Sequence, residues 1–205
     1  MPSSPALVLR VEHLRHRVVV GINLRAELGH LARIHGKPGL AEVDLVIQRR
    51  AGLRDVGDVA RVVHLGLQVL DHVDDVTLLV ENEFDCNVAT GSETARLFRA
   101  ISDRRLMHNW DPGNCFMAGE QPYPKAWNQL DHSRIGHMHL KDAEGKKWMP
   151  IGKGKIDFVG QFRALKKIGY SHTMSLETHY RNAQRDPYTS SEESMDGLVA
   201  VLKKV

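Results

Sequence analysis

The first 83 residues contain no Phe, Trp or Tyr; all twelve aromatic residues lie at or after Phe84. A core can form without aromatics, but these rings usually supply much of its buried area, so the chain changes character along its length. The basic residues change with it. Before residue 81 there are nine Arg and one Lys, and after it eight Arg and ten Lys. Cysteine is scarce. Cys86 and Cys115 show neither CxxC nor zinc-finger spacing, which excludes a disulfide framework and fits two thiols in a reducing compartment. No apolar run reaches the length of a membrane span. No Lys/Arg block stands out and the net charge is only +3, so charge points to no nucleic-acid partner. The start, MPSSPALVLRVEHLRHR, lacks a basic segment followed by a long apolar stretch, so the expected location is cytoplasmic with no signal peptide.

What remains is an ordinary globular composition, 42% hydrophobic and 26% charged, over 205 residues. That length allows one sizeable core or at most two small domains. Residues 1–75 are rich in Val, Leu, Arg and His and are left unassigned. The spacing of Leu24, Leu28 and Leu31 predicts a helix over Ile22–His35, stopped by Gly36-Lys37-Pro38-Gly39, and a second helix is predicted over Asp55–His72.

Residues 76–205 are more regular. Val76–Val80 reads as a buried strand, and Leu106–Trp110, Ile135–Leu140 and His172–Leu176 as three further strands. Between them, Ser92–Ile101 reads as a helix capped by Thr90 or Ser92, and Tyr123–Leu130 as a short helix. Asp157 caps a helix ending at Ile168 before Gly169, and Ser191 caps a last helix reaching Lys203-Lys204. Asp111–Asn114 and the glycine-rich Asp142–Lys155 read as loops. Strand and helix alternate four times, the pattern of a parallel α/β sheet or barrel.

A potential metal-binding residue sits at or just past the end of each strand: Glu81 in LLVENE, Asp111 in HNWDPGN, His139 in GHMHLKD and Glu177 in MSLETHY. Parallel strands would bring all four to one mouth, where barrel enzymes build their sites. Singly each has an ordinary explanation: Glu81 a surface loop acid, Asp111 a turn former before Pro-Gly, His139 a core histidine. Four in register with four consecutive strands is a stronger signal. Three carboxylates and one imidazole suit Mn²⁺, Mg²⁺ or Co²⁺, and also accommodate Zn²⁺.

The segments LLVENE, WDPGN, IGHMHLKDA, IGKGKIDF and GYSHTMSLETHY resemble the xylose-isomerase-like TIM-barrel family, which includes sugar-phosphate isomerases/epimerases and the endonuclease IV type of enzyme. The resemblance covers Val76–Val205 and implies an α/β fold, a partial (β/α)8 barrel whose last four β/α units are recognisable. It implies one divalent metal held by Glu81, Asp111, His139 and Glu177, with Glu81 and Glu177 also moving protons on a small sugar, sugar phosphate or keto-polyol. An inosose-type dehydratase would use the same groups. Lys141, Asn114 and Arg181 are candidate substrate contacts, with Lys153 a weaker one; Lys141 could instead orient Asp142. Two other outcomes stand beside this: a catalytically incomplete metal-binding half barrel, and an endonuclease IV-like phosphodiester hydrolase, which needs several metal ions and more histidine ligands.

A complete barrel needs eight β/α units, and residues 1–75 show none of the expected strand-end motifs. They are a divergent partial half, an unrelated extension, or sequence joined upstream of Val76 by a reading-frame or gene-model error, the reading the composition break favours. A half barrel would leave the strands near Leu79 and Ser175 as open edges. Residues 1–75 would then cover them, two chains would pair as a homo-oligomer, or the chain would be marginally stable.

Overall fold

A computed structural model describes residues 6–14, 17–25, 41–45, 55–70 and 76–205. In chain order these form β1 (Ala6–Leu14), β2 (Arg17–Arg25), β3 (Ala41–Leu45), α1 (Val56–Leu70), β4 (Val76–Glu81), α2 (Gly91–Ala100), β5 (Leu106–Trp110), α3 (Pro112–Met117), β6 (Ile135–Leu140), β7 (Asp142–Glu144), β8 (Lys147–Met149), α4 (Phe158–Lys167), β9 (Met174–Leu176) and α5 (Pro187–Leu202). Short irregular turns fill Pro122–Gln129 and His132–Arg134.

Five strands make one sheet in the order β3-β4-β5-β6-β9, and every pair in it is parallel. The predicted β/α alternation is therefore present, with its strands pointing one way. The strand at Leu79 is not an open edge, because β3 pairs along it from Ala41↔Val76 to Leu45↔Val80. The helix predicted from Ile22 meets a correction as well. Ile22–Arg25 lie in β2, which pairs antiparallel with β1 from Leu14↔Arg17 to Ala6↔Arg25. Pairing with the preceding strand here overrides a leucine spacing that also suits a helix. Residues 26–39 of that prediction lie outside the described residues. The helix predicted over Asp55–His72 is found as α1.

Local chemistry explains the better-defined boundaries. Thr90 and Glu93 form a reciprocal capping box that starts α2. Asp157 caps α4, and Gly169 takes a positive φ of 69° just beyond it. α5 starts earlier than predicted. Asp186 accepts from the Tyr188 and Thr189 backbone N–H groups, and Pro187 occupies the first turn, so Ser191 lies inside the helix. Two predicted loops also carry structure: Asp111 opens α3, and Asp142–Met149 folds as the hairpin β7–β8.

Trp110, Ile135, Met138, Ile151 and Phe158 are fully enclosed in the core beneath the sheet's helices. Trp110 donates its indole N–H to Gln161 at 3.1 Å, which satisfies its one polar atom. Arg134 is buried too. Its guanidinium donates to the carbonyls of Phe98, Ile101, Asp103 and Leu106, tying the end of α2 to the start of β5. Both cysteines are buried and outside any disulfide. No helix among the described residues is long and apolar enough to cross a membrane.

His108, on β5, is buried between Phe98 and Trp110, and burial holds its pKa down at about 3 from the ordinary 6.5. The unfolded chain therefore takes up this proton at a higher pH than the folded one. Its contribution to stability is intact above about pH 6.5 and is lost progressively as pH falls toward 3, at up to about 1.4 kcal/mol per unit. Urea unfolding across that window should show a shallower pH dependence for His108→Gln than for the wild type; parallel curves would refute the assignment.

Candidate metal centre

β4, β5, β6 and β9 deliver their C-terminal ends to one place. One ligand atom from each of Glu81, Asp111, His139 and Glu177 lies within 4.8 Å of the other three. It is the one such cluster among the described residues. His139 Nδ1 stands 3.0 Å from Glu81 Oε1, 3.5 Å from Glu177 Oε2 and 3.9 Å from Asp111 Oδ2. Glu81 and Asp111 are buried, whereas the Glu177 side chain is 39% exposed and is the open member of the set.

Asp111 divides its two oxygens. Oδ1 accepts the Asn114 backbone N–H at 2.8 Å and caps α3. Oδ2 is buried without an aligned hydrogen bond and faces the cluster. Burial raises the Asp111 pKa to about 7; the Lys141 charge opposes this and the Glu81 charge adds to it. Burial works against a charged His139, but Glu81, Asp111 and Glu177 outweigh it and lift the imidazole to about 9. Glu177 goes the other way. Burial opposes its ionisation, yet neighbouring His179, Lys141 and His139 hold it down at about 2.

Lys141 does not reach toward Asp142. Its ammonium is buried, 3.0 Å from Asp111 Oδ2 and in contact with Glu177 Oε2. The surrounding carboxylates raise its pKa against the effect of burial. Asn114 is fully buried and donates to Glu81 Oε1 at 3.0 Å and to Glu83 Oε2 at 3.1 Å. Arg181 is exposed and donates to the carbonyls of Thr178 and Tyr180 in its own loop, and Lys153 is exposed on the loop after β8.

Several neighbours carried no sequence signal as site residues. Glu83, half-buried, has its pKa raised chiefly by burial. Asn109 places its amide 3.2 Å from His139 Nε2. Trp148, on β8, meets Phe84 and His179 edge to face at 5.9 and 4.9 Å and lies 5.5 Å from the Lys141 ammonium. Aromatic residues from three segments thus stand beside the open side of the cluster. Only the aromatic composition of the second part hinted at such a wall.

The donor set fits a divalent cation. It offers three carboxylate oxygens and one imidazole nitrogen at mutual distances short enough to share one ion, with Asp111 Oδ2 aimed inward. The family model for the xylose isomerase-like TIM barrel matches residues 28–204. The chain belongs to the xylose isomerase-like TIM-barrel family. Solved structures of similar fold include a zinc-bound IolI protein, with 17% identity, a TM-score of 0.63 and alignment over 80% of this chain and 63% of that one. A D-tagatose 3-epimerase-like protein aligns at 18% identity and a TM-score of 0.63, over 79% of this chain and 62% of that one. The 3-keto-D-glucoside 4-epimerase YcjR from E. coli aligns at 17% identity and a TM-score of 0.58, over 80% and 64%. The chain thus spans under two thirds of the length of these xylose isomerase-like structures, as a partial barrel. None of the curated proteins compared with it matches.

Proposed function

We propose that this chain is a divalent-metal-dependent isomerase or epimerase of a small sugar, sugar phosphate or keto-polyol, working by carboxylate-mediated proton transfer. The observation that carries the reading is the convergence of Glu81, Asp111, His139 and Glu177 at the ends of four parallel strands, with Glu177 open to solvent. The sugar-epimerase structures of similar fold support the substrate class.

Glu81, Asp111, His139 and Glu177 would hold the cation, as Mn²⁺, Mg²⁺, Co²⁺ or Zn²⁺. Once bound, it supplies Lewis-acid stabilisation of the negative charge that develops when the C–H beside a carbonyl is lost. Glu177, ionised and accessible, takes that proton as general base. Glu81, fixed by Asn114 and His139, is the second carboxylate and returns a proton from another direction. Return at the opposite face gives epimerisation; return at the neighbouring carbon gives isomerisation. Lys141 neutralises part of the carboxylate charge and can donate to a substrate oxygen. Trp148 and Phe84 offer an apolar surface to the C–H face of a sugar. A sugar bound there makes no use of nucleic acid or membrane contacts.

Metal analysis of the purified protein tests this first. Close to one Mn, Co or Zn per chain is expected in the wild type, with affinity weaker by more than about 100-fold in Asp111→Ala and in Glu177→Ala, since each loses a direct ligand and loss of an outer partner alone typically costs about 10- to 100-fold. Metal-loaded protein should then exchange solvent deuterium into at least one of D-fructose, D-tagatose and D-psicose. Metal without exchange on any of them would leave a metal-binding partial barrel. Well-folded protein that takes up no metal would remove the enzyme reading altogether.

A further inference from the structure

We propose that Asn82, hidden between the two glutamates of the ENE segment, is the positioning residue that sets Asp111 for metal binding; this rests on the metal centre proposed above. The parallel ladder between β4 and β5 stops at Glu81↔Asn109. One residue further, the Asn82 side chain takes the place of the missing strand pairing. Its Oδ1 accepts the Asp111 backbone N–H at 2.8 Å, and its Nδ2 donates to the Asp111 carbonyl at 2.8 Å. The carboxamide thus grips both backbone polar groups of one residue, as a neighbouring peptide would.

The grip is itself held. Asn82 Nδ2 donates its second N–H to the Ala89 carbonyl at 3.3 Å, and His108 Nε2 lies 3.2 Å from Asn82 Oδ1, positioned to donate to it. Both N–H groups and both lone pairs of the amide are then used, the full capacity of the side chain. Asn82 and Asp111 are completely buried and His108 almost so. An aspartate at this position could accept from Asp111 but could not donate to either carbonyl, so the amide is specifically required.

The backbone of Asp111 matters because its side chain has little freedom left. Oδ1 is committed to capping α3, so the direction of Oδ2 follows from the backbone at φ −117° and ψ 102°. Release of the Asn82 grip lets the α3 start shift and takes Oδ2 out of register with Glu81, His139 and Glu177. Partners that orient metal ligands in this way are typically worth about 10- to 100-fold in metal affinity.

The test compares wild type, Asn82→Ala, Asp111→Ala and Phe162→Leu, with Co²⁺ and Mn²⁺ as probes. Asn82→Ala should bind both ions roughly 10- to 100-fold more weakly. Its Co²⁺ absorption spectrum should move to that of Asp111→Ala. Phe162→Leu, a core change in α4, should lower the thermal midpoint and leave affinity and spectrum unchanged, which separates positioning from general destabilisation. Wild-type affinity and spectrum in Asn82→Ala would overturn the proposal and leave the metal centre standing. If Asn82→Ala does not fold, His108→Leu loosens the same grip from its far end, and an unaltered Co²⁺ spectrum there would overturn it equally. A wild type that binds neither ion removes the metal centre and this role together.

Discussion

Glu177→Gln, assayed at saturating metal, is expected to lose about 10³-fold in the rate of solvent-deuterium exchange into the keto-sugar that the wild type labels. The substitution is nearly isosteric and its amide oxygen can still face the centre, so saturating metal separates lost chemistry from weakened binding. What it removes is the ionised carboxylate. Glu177 is the one cluster carboxylate with substantial exposure, at 39%, and neighbouring His179, Lys141 and His139 keep it ionised. It is thus both reachable and charged, the two conditions a base must meet before it can take a proton from carbon. Glu81→Gln should behave differently. Exchange from the face served by Glu177 should persist, while conversion to the other isomer stops for want of the second carboxylate. Deuterium incorporation followed by proton NMR reports both outcomes. Wild-type exchange in Glu177→Gln would exclude it as the base, and equal loss in both variants would point to a shared electrostatic role.

The parts of this molecule that were legible in its sequence are those set by short-range pattern. β5 and β6 fall where the sequence places them, and β4, the apolar and β-branched run, is longer by one residue, the candidate ligand Glu81. Because each ligand candidate lies at the C-terminal end of its strand or just past it, the shared strand direction brings Glu81, Asp111, His139 and Glu177 to one mouth. Other features depend on partners outside the segment itself. Asp111-Pro112-Gly113 reads as a turn, yet the same Asp and Pro suit a helix start, and packing chose the helix. β2 is strand because β1 pairs along it, which leucine spacing could not reveal. The hairpin β7–β8 has strands of three residues, too short for any periodicity to register. Asn82, Asn109 and Glu83 are polar residues beside obvious candidates, and their contacts lie 26 to 31 positions away. Nothing local distinguishes them from surface residues. The sequence instead drew attention to Arg181, whose guanidinium turns to its own loop carbonyls.

Asp142 shows how such hidden contacts bear on stability, and Asp142→Ala is expected to cost about 3–5 kcal/mol. In the sequence Asp142 stands only as a residue that Lys141 could orient; in the structure its carboxylate lies under the loop that follows β8. Oδ1 accepts the backbone N–H groups of Ala143 and Ile156 at 2.8 and 3.3 Å, and Oδ2 those of Gly152 and Gly154 at 2.9 and 3.0 Å. The loop wraps so closely that a Cβ on Gly154 would come within 2.2 Å of Oδ1. Burial raises the Asp142 pKa, and the four N–H groups pull it back only in part. Truncation to alanine leaves four donors without their acceptor; the buried Ala143 and Ile156 N–H groups lose about 1–3 kcal/mol each before relaxation, the part-buried Gly152 and Gly154 N–H groups less. The penalties share one loop and so will not add fully. Asp142→Asn keeps one acceptor oxygen and should lose about half as much. Urea unfolding gives both values, and an alanine variant as stable as the wild type would show that the loop finds other partners. The same loop anchors β8 and hence Trp148 beside Lys141 and His179. Asp142→Ala should therefore raise KM for a sugar substrate while the proposed metal is still bound, because the Asp142 hydrogen bonds run to the loop and not to Glu81, Asp111, His139 or Glu177. Loss of metal together with stability would instead place the loop among the supports of the centre itself.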